Sequence, residues 1–246
     1  MSDNNSVVVI PARLQSTRLP GKVLYPLAGK AMIEWVYSAC IQSKANAVYI
    51  ATHDTPVQQY CIKHSMRYIM TSANPINGSE RVAEAVRLLE EWGETYQYVI
   101  NVQGDEPLIN PSHINLLLDR MKHKDYLTSN PMCEMATLYS KIYSIKEREA
   151  SSVVKVVLDK FQTALYFSRL PISDFKHHGI YAYTWDALNI VVQAAKTENE
   201  MRENLEQLRA LDNGYRISCI EVDSTLHGVD CYEDIPKVEN FLNKRN

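Results

Sequence analysis

The stretch VVVIPARLQSTRLPGK at residues 7–22 joins a buried-strand pattern to a cluster of positive charge. Its first four residues are apolar and β-branched, which favours a strand. The following loop has no Asp or Glu near it, since none occurs at residues 4–33. It carries three cations: Arg13, Arg18 and Lys22. Because the whole chain has a net charge of −3, this loop is a local positive field that is expected to attract an anion.

The loop suits a polyphosphate held by side chains. Pro11 and Pro20 restrict its backbone, and Gly21 permits an unusual backbone angle or a close approach. Arginine offers a rigid fork to phosphate oxygens, and lysine a compact charge. The glycine patterns of the Walker A loop and of the dinucleotide-binding turn are both absent. The alternative is a solvated basic loop without a ligand.

The composition sets limits on the function. A chain of 246 residues with 46% hydrophobic and 22% charged residues is typical of a globular α/β protein. Its slight acidity argues against a nucleic-acid partner. The start MSDNNS is not a signal peptide, and no apolar run is long enough to span a membrane. Five cysteines without a CxxC spacing predict free thiols in the reducing cytoplasm rather than a metal cluster.

The first half of the chain alternates strands with amphipathic helices. The predicted strands are Val7–Ile10, Ala47–Thr52, Tyr68–Thr71 and Tyr98–Gln103. Apolar residues recur at helical spacing between them, and Asn110 with Pro111 reads as an N-cap and first helical residue. This order predicts an α/β fold with a mostly parallel sheet flanked by helices.

The rhythm changes in the second half. EMATL, SVVKVVLD, TALYFSR and HGIYAYT follow one another without room for crossover helices, which predicts an antiparallel extension over about residues 130–184. Helices are then predicted over roughly Trp185–Ala195, over Glu200–Asp212 and at the C-terminus, with the strand RISCIEV before the last of them. We find no linker or repeat, so residues 1–246 are predicted to form one domain.

A second strand end carries carboxylates. VINVQGDEPLI ends an apolar strand in Gln103, Gly104 and Asp105, and ligands of open α/β sheets lie at such carboxyl ends. Asp230 follows the predicted strand RISCIEV, just before the last helix. Asp105 could be only a turn former, and Asp230 only an N-cap. Together with the basic loop, the two aspartates indicate a magnesium site for phosphoryl or nucleotidyl transfer.

Other polar residues stand at prominent positions without a role fixed by their spacing. Arg81 lies in the first turn of a helix, Arg169 ends a strand, and Glu206 lies on an amphipathic helix with Gln207. KHHGIYAY carries three more: His177, His178 and Tyr181. A solvated helix face remains open for Glu206, and the histidines could be ordinary strand residues, since no further zinc ligands stand at suitable spacing.

Taken together, these motifs resemble the 3-deoxy-manno-octulosonate cytidylyltransferases, also called CMP-KDO synthetases. The resemblance covers nearly the whole chain in the family's order, and the combination is specific although each piece alone is weak. The stretches that carry it are VVIPARLQSTRLPGK, LAGKAMI, NGSERVAE, NVQGDEPLI, VVKVVLD, ALYFSR, HGIYAYT, LEQLRAL and GVDCYEDI.

The resemblance implies a nucleotide-diphospho-sugar transferase-like fold, paired through the antiparallel extension into a homodimer. It implies that CTP and an eight-carbon ulosonic acid give CMP-sugar and pyrophosphate with Mg²⁺, as a step towards lipopolysaccharide or capsule. Asp105 and Asp230 match the metal ligands and, with Lys22, the catalytic residues. The positions that match the nucleotide site are Pro11, Ala12, Arg13, Arg18, Lys22, Ser79 and Arg81. Those that match the sugar-acid site are Gln103, Arg169, His177, Tyr181, Glu206 and Gln207.

Two departures from the family pattern bear on the sugar. The segment between SRLPI and HHGIYAY is shorter than usual, and His178 stands where an aliphatic residue is common. A variant acid such as 8-amino-3,8-dideoxy-manno-octulosonate is therefore an alternative substrate. Two further alternatives are a nucleotidyltransferase acting on a sugar phosphate, which usually has a glycine-rich opening loop, and a non-catalytic nucleotide-binding protein.

Overall fold

The computed structural model of the chain describes residues 5–16, 18–122, 134–223 and 227–244. These residues group into two compact units. The first lies within residues 1–115 and 225–246, and the second within residues 116–224. That they form the single domain predicted above stays a prediction.

The elements follow the alternation read from the sequence. The strands in chain order are β1 (Ser6–Pro11), β2 (Pro26–Leu27), β3 (Lys30–Ala31), β4 (Ala47–Thr52), β5 (Tyr68–Met70), β6 (Tyr98–Asn101), β7 (Met135–Lys141), β8 (Lys155–Leu158), β9 (Ala164–Ser168), β10 (Phe175–Thr184) and β11 (Ile217–Glu221). The α-helices are α1 (Met32–Cys40), α2 (Thr55–Lys63), α3 (Gly78–Glu91), α4 (Pro111–Lys122), α5 (Ile145–Glu149), α6 (Trp185–Gln193), α7 (Glu198–Glu203), α8 (Gln207–Asp212) and α9 (Ile235–Leu242).

A parallel sheet organises the first unit. Its strand order is β6-β1-β4-β5, and every neighbouring pair is parallel. Val7–Ile10 in β1 are fully buried, as expected for a parallel strand with both faces covered. The four strands predicted here are confirmed, with ends that differ by at most two residues.

The order of these strands creates a crevice beside β1. The chain runs from β1 outward to β4 and β5, and then returns to the other side of β1 as β6. Loops that leave the carboxyl ends of β1 and β6 therefore diverge, and such a switch point is where open α/β sheets bind ligands. Val9 pairs with Asn101 in the register, so the basic loop and Asp105 leave the sheet side by side.

An apolar cluster secures the loop that follows β1. Leu19, from the loop itself, packs with Leu27 and Met32 and with Val229 and Val238 from the C-terminal segment. All five are almost fully buried. Burial of a leucine side chain contributes about 1.5–3 kcal/mol. This packing places the charged residues on either side of Leu19 at a fixed position rather than on a loose surface loop.

The second unit contains the predicted antiparallel strands. β7 pairs antiparallel with β10, β8 with β9 and with β10, and β11 joins β7 in parallel. All four segments predicted as strands in this region are confirmed. The short helix α5 was not predicted, and residues 130–133 of the predicted extension lie outside the described residues.

The predicted helix over Glu200–Asp212 is wrong as a single element. The chain forms two short helices instead, α7 and α8, because Asn204 adopts a left-handed conformation with φ 54° between them. Asn tolerates this conformation better than most residues. Glu206 consequently stands at the N-cap of α8. Met201, in α7, is 63% exposed.

Two other expectations can be compared with the structure. The predicted N-cap at Asn110 is confirmed, since its side-chain oxygen accepts a hydrogen bond from the Ser112 N–H at 2.9 Å.

Cys40, Cys61, Cys219 and Cys231 are free thiols, whereas Cys133 lies outside the described residues. Within the described ranges we find no helix with the length and apolar character needed to cross a membrane.

We predict that a buried ion pair makes a large contribution to the stability of the second unit. Arg209 donates to both carboxylate oxygens of Glu200 at 2.7 and 2.6 Å, and both side chains are at least 92% buried. Arg209→Ala should lower the free energy of unfolding by about 3–5 kcal/mol, because it leaves a buried carboxylate unpaired. The matched control is Arg148→Ala in the exposed pair with Asp174, which should cost at most about 1 kcal/mol. Equal losses in urea unfolding would contradict this account.

Candidate active site

The loop after β1 closes on itself before it reaches Lys22. Gly21 N–H donates to the Leu14 carbonyl at 2.9 Å, and Leu14 N–H donates to Asp54 Oδ2 at 2.8 Å. Gly21 has φ +69°, so the unusual backbone angle predicted for it is confirmed. Glycine adopts this left-handed conformation more readily than any other residue. The turn therefore delivers Lys22 back towards the end of β1, while Asp54 anchors the loop beyond β4.

Lys22 lies between two carboxylates. Its Nζ donates a hydrogen bond to Asp105 Oδ2 and lies 3.5 Å from Asp230 Oδ1. Arg18 Nη2 donates to the same Asp230 oxygen at 3.1 Å. Val229 N–H donates to the main-chain oxygen of Asp105 at 2.9 Å, which fixes the two carboxylate-bearing segments to each other. The structure thus brings together two cations and two carboxylates predicted from three separate stretches of sequence.

These contacts answer two questions that the sequence left open. The basic loop has no acid near it along the chain, yet Arg18 and Lys22 have acidic partners in space. Asp230 is not the N-cap of α9, because Asp234 occupies that position. Asp234 also accepts hydrogen bonds from the N–H groups of Asp230 and Cys231. The carboxylate of Asp230 is therefore directed to the cations rather than to a helix end.

Lys22 remains positively charged in this setting. Burial disfavours the ammonium, but Asp105 and then Asp230 outweigh that effect and raise the pKa of Lys22 above its usual range. The side chain is only 16% exposed, so its charge acts in a partly dehydrated site. Electrostatic interactions there are stronger than they would be in open water.

A cavity of about 450 Å³ lies beside this cluster. Its lining includes the predicted residues Pro11, Ala12, Arg13, Arg18, Lys22, Arg81, Gln103 and Asp105. The lining also includes Asn77 and Gly78 from the stretch NGSERVAE and Gly104 from the stretch VINVQGDEPLI. Four further lining residues were not singled out from the sequence: Gln15, Ser16, Val23 and Pro75. Backbone and side-chain polar groups dominate this set, and the volume falls in the range of small-molecule sites.

Two glycines allow the walls of the cavity to approach each other. A Cβ on Gly104 would lie 3.1 Å from the Pro11 carbonyl oxygen, and one on Gly78 would lie 3.2 Å from the side-chain oxygen of Gln103. Both distances are shorter than ordinary contacts with a methyl group. The sequence does contain a pattern that points to these glycines, because each follows a polar residue at the start of a helix or the end of a strand. Only the three-dimensional arrangement shows that a side chain would crowd the site.

Arg81 and Ser79 lie deeper than their positions in the first helical turn suggested. Arg81 is 3% exposed, and its Nη1 donates to Thr71 Oγ1 and to the Ser72 carbonyl. Burial lowers the pKa of its guanidinium from the usual value. The Ser79 hydroxyl accepts a hydrogen bond from Asn101 Nδ2 at 3.3 Å. Their roles in the nucleotide site stay predictions.

Gln103 lies in the first unit, where its amide lines the cavity together with the basic loop. Its Nε2 donates to Asn101 Oδ1 at 2.9 Å, which orients the amide. The sequence placed Gln103 at the sugar-acid end of the site. The other residues predicted for that end lie in the second unit.

Arg169 follows β9 and is held through both its main chain and its side chain. Its N–H donates to Glu203 Oε2 at 3.2 Å, and its Nη1 donates to the Ser151 carbonyl at 3.1 Å. Guanidinium has five N–H donors, so one bond to Ser151 leaves others for a ligand. This geometry is compatible with the predicted recognition of a carboxylate.

His177 and Tyr181 are neighbouring buried rings on β10. Their centroids lie 5.4 Å apart, and His177 Nε2 lies 3.0 Å from Thr137 Oγ1. Burial lowers the pKa of the His177 imidazole to about 3, so the ring is neutral at pH 7. Tyr181 is 4% exposed, and burial is the main cause that raises the pKa of its hydroxyl, with Tyr183 and Glu206 adding to it. The His177 ring is therefore neutral before a ligand binds.

Glu206 and Gln207 begin α8, and the structure distinguishes them. Gln207 is 4% exposed, whereas Glu206 is partly exposed and close enough to Tyr181 to affect its pKa. The solvated helix face considered for Glu206 is therefore replaced by a position at the helix start, next to a buried tyrosine. Carboxylate and amide groups here can accept and donate hydrogen bonds to hydroxyls.

We predict that His177 makes the protein less stable in mild acid. Its pKa is about 3 when folded and about 6.5 when unfolded, so the unfolded chain binds the proton first. The contribution of the neutral His177 to the free energy of unfolding is fully present above pH 6.5. It falls as the pH drops, by about 2 kcal/mol at pH 5. Urea unfolding of His177→Gln at pH 7 and pH 5 should show a smaller difference than the unmutated protein. The same difference in both proteins would contradict the assignment.

Comparisons with known proteins identify the family of the chain. The cytidylyltransferase family model matches residues 7–222. The chain is 40% identical to the 3-deoxy-manno-octulosonate cytidylyltransferase of Fusobacterium nucleatum over 97% of both chains. It is 36% identical to the enzyme of that name from Zea mays, over 99% of this chain and 83% of the relative.

A solved structure is similar at the level of the whole chain. It is that of CMP:2-keto-3-deoxy-manno-octonic acid synthetase in complex with CTP, with a TM-score of 0.88 and 36% identity over 98% of this chain and 100% of that one. A nucleotidyl transferase from Methanothermobacter is 14% identical with a TM-score of 0.63, which supports the fold alone. Sequence and structure together establish that this chain belongs to the 3-deoxy-manno-octulosonate cytidylyltransferase family.

Proposed function

We propose that the protein transfers the cytidylyl group of CTP to 3-deoxy-manno-octulosonate, giving the CMP-sugar and pyrophosphate. The observation that carries this proposal is the cluster of Arg18, Lys22, Asp105 and Asp230 beside the cavity at the ends of β1 and β6. The names of relatives that match along the full chain specify the same acid. They do not favour the 8-amino acid, a sugar phosphate or a non-catalytic role.

The reaction needs the charge of the triphosphate to be controlled. The anomeric hydroxyl of the sugar acid attacks the α-phosphorus of CTP, and the bond to pyrophosphate breaks. In this proposal Arg13, Arg18 and Lys22 bind phosphate oxygens and offset the negative charge on the leaving pyrophosphate. Pro11, Ala12, Ser79 and Arg81 contribute to the pocket for the cytidine.

A magnesium ion fits the donor set. Asp105 and Asp230 supply hard carboxylate oxygens that already converge on one positive charge, the ammonium of Lys22. The described residues contain no cluster of three or more His, Cys, Asp or Glu able to hold a metal, so substrate phosphate and water would complete the ligands. Asp105 and Asp230 would hold the ion, and when bound it supplies positive charge to the phosphate oxygens and polarises them.

We assign the sugar acid to the residues that match the family's sugar-acid site, which include Gln103. Arg169 pairs with the substrate carboxylate, since a guanidinium forms strong charge-assisted hydrogen bonds with such a group. The neutral His177, Tyr181, Glu206 and Gln207 bind the hydroxyls. Because CTP and the acid use different cations, their affinities are separable by mutation.

Assembly and location complete the proposal. We propose a homodimer formed through the antiparallel extension, where Tyr143, Ile145, Leu170 and Ile172 are exposed hydrophobic residues. A cytoplasmic enzyme for lipopolysaccharide synthesis is supported by the free thiols and by the acid named for the relatives.

We predict that Asp105→Asn lowers turnover by on the order of a hundredfold or more, because it removes a carboxylate from the catalytic cluster at little steric cost. Pyrophosphate release with CTP, Mg²⁺ and 3-deoxy-manno-octulosonate measures this. The control is Asp212→Asn, which makes the same charge change at an exposed residue of the second unit. Turnover within threefold of the unmutated enzyme for Asp105→Asn would overturn the assignment, and no release by the unmutated enzyme would overturn the proposed reaction.

A further inference from the structure

Lys155 is a buried lysine that the proposed reaction does not use. It begins β8 within the motif VVKVVLD, is 0% exposed, and is among the largest fully buried side chains of the described residues. Its Nζ donates to the carbonyls of Ala150 at 2.9 Å, Val153 at 2.7 Å and Arg169 at 2.7 Å. These three bonds use all three donors of the ammonium group.

This arrangement is costly, which calls for a reason beyond packing. Burial, with the nearby charge of Arg169, lowers the pKa of Lys155 from its usual value. Within the described part of the chain its bonds run to main-chain carbonyls and not to a carboxylate that would offset the buried charge. A hydrophobic side chain of similar size would fill the space at less cost. What lysine adds is the ability to hold three carbonyls at fixed positions.

Those carbonyls surround one residue of the proposed sugar site. Lys155 holds the carbonyl of Arg169, and it also holds Ala150 and Val153 on either side of Ser151. The Ser151 carbonyl in turn accepts the bond from Arg169 Nη1 at 3.1 Å. Lys155 thus fixes both the main chain of Arg169 and the segment on which its guanidinium rests.

Glu203 holds the other side of the same residue. Its carboxylate accepts from Arg169 N–H at 3.2 Å and from the hydroxyl of Ser168, the preceding residue, at 2.9 Å to each oxygen. The Glu203 carboxylate therefore accepts a hydrogen bond from the Arg169 N–H, and the Lys155 ammonium donates one to the Arg169 carbonyl. Charged groups make stronger hydrogen bonds to the backbone than neutral ones do.

We propose that Lys155 and Glu203 are positioning residues that hold Arg169 in place for the carboxylate of the sugar acid. Neither needs to touch the substrate, and Lys155 is too deeply buried to do so. Binding a carboxylate with a guanidinium depends on placement within a fraction of an ångström. The inference rests on the proposed function, because it takes Arg169 as the partner of the substrate carboxylate.

The test separates binding of the acid from binding of CTP. Lys155→Met keeps the length of the side chain and removes its three donors. It should raise the KM for 3-deoxy-manno-octulosonate at least tenfold and change that for CTP less than twofold. Glu203→Gln, which keeps a neutral acceptor, should raise the KM for the acid about threefold. The matched control is Lys176→Met, which removes a partly buried lysine that pairs with Glu147 and faces Lys155 in the strand register.

Combination with Arg169→Ala decides whether Lys155 acts through Arg169. Arg169→Ala alone should raise the KM for the acid strongly, and adding Lys155→Met should then change it less than twofold. If Lys155 had a purely structural role, Lys155→Met would raise the KM for both substrates, or its effect on the KM for the acid would multiply with that of Arg169→Ala. Either result would overturn the inference. So would an unchanged KM for the acid in folded Lys155→Met.

Three further outcomes are informative. If Lys155→Met does not fold, Glu203→Gln and its double variant with Arg169→Ala provide the same comparison. The inference is overturned if the two substitutions multiply their effects on the KM for the acid. If Arg169→Ala itself leaves the KM for the acid unchanged, the assignment of Arg169 in the proposed function is wrong. If Arg169→Ala raises the KM for the acid but Lys155→Met and Glu203→Gln do not, only the positioning role is refuted.

Discussion

The contact of Lys22 with Asp105 and Asp230 is the interaction on which the candidate site depends. It joins three segments that are far apart along the chain: the loop after β1, the end of β6 and the stretch before α9. Leu19 and Val229 pack in one apolar cluster beneath it, so the ion pairs rest on a buried support. Two aspartates near each other would repel without a cation, and Lys22 supplies that charge in the protein itself.

This arrangement explains why so much positive charge can gather in one loop of a mildly acidic chain. Arg18 and Lys22 are balanced by carboxylates from other strand ends, while Arg13 is exposed at the cavity. In the proposed function, a triphosphate would bring its own negative charge to the same place, where the partly buried Lys22 keeps a raised pKa. The site can therefore attract an anion although the positive charges of Arg18 and Lys22 are balanced within the protein.

The sequence predicted those features that depend on local pattern. The apolar run Val7–Ile10 identified the central strand. The rule that ligands lie at the carboxyl ends of strands predicted that the basic loop and Asp105 belong to one site. It did not predict that Asp230 pairs with Arg18, because both a helix cap and a ligand fit the same spacing. It also missed the break at Asn204, since apolar periodicity is insensitive to a single residue with positive φ. The burial of Arg81 and Lys155 depends on tertiary contacts that no local pattern carries.

The central claim is that Lys22 and its neighbours bind the outer phosphates of CTP, and calorimetry tests it most directly. Titration of CTP and of CMP into the unmutated protein and Lys22→Met, with Mg²⁺ present, compares ligands that differ only in two phosphates. Loss of a charged hydrogen bond costs about 1.5–3 kcal/mol, so CTP should bind roughly ten- to a hundredfold more weakly to the variant. CMP should bind nearly as before. An equal loss for both nucleotides would contradict the account, because Lys22 would then act on the part they share.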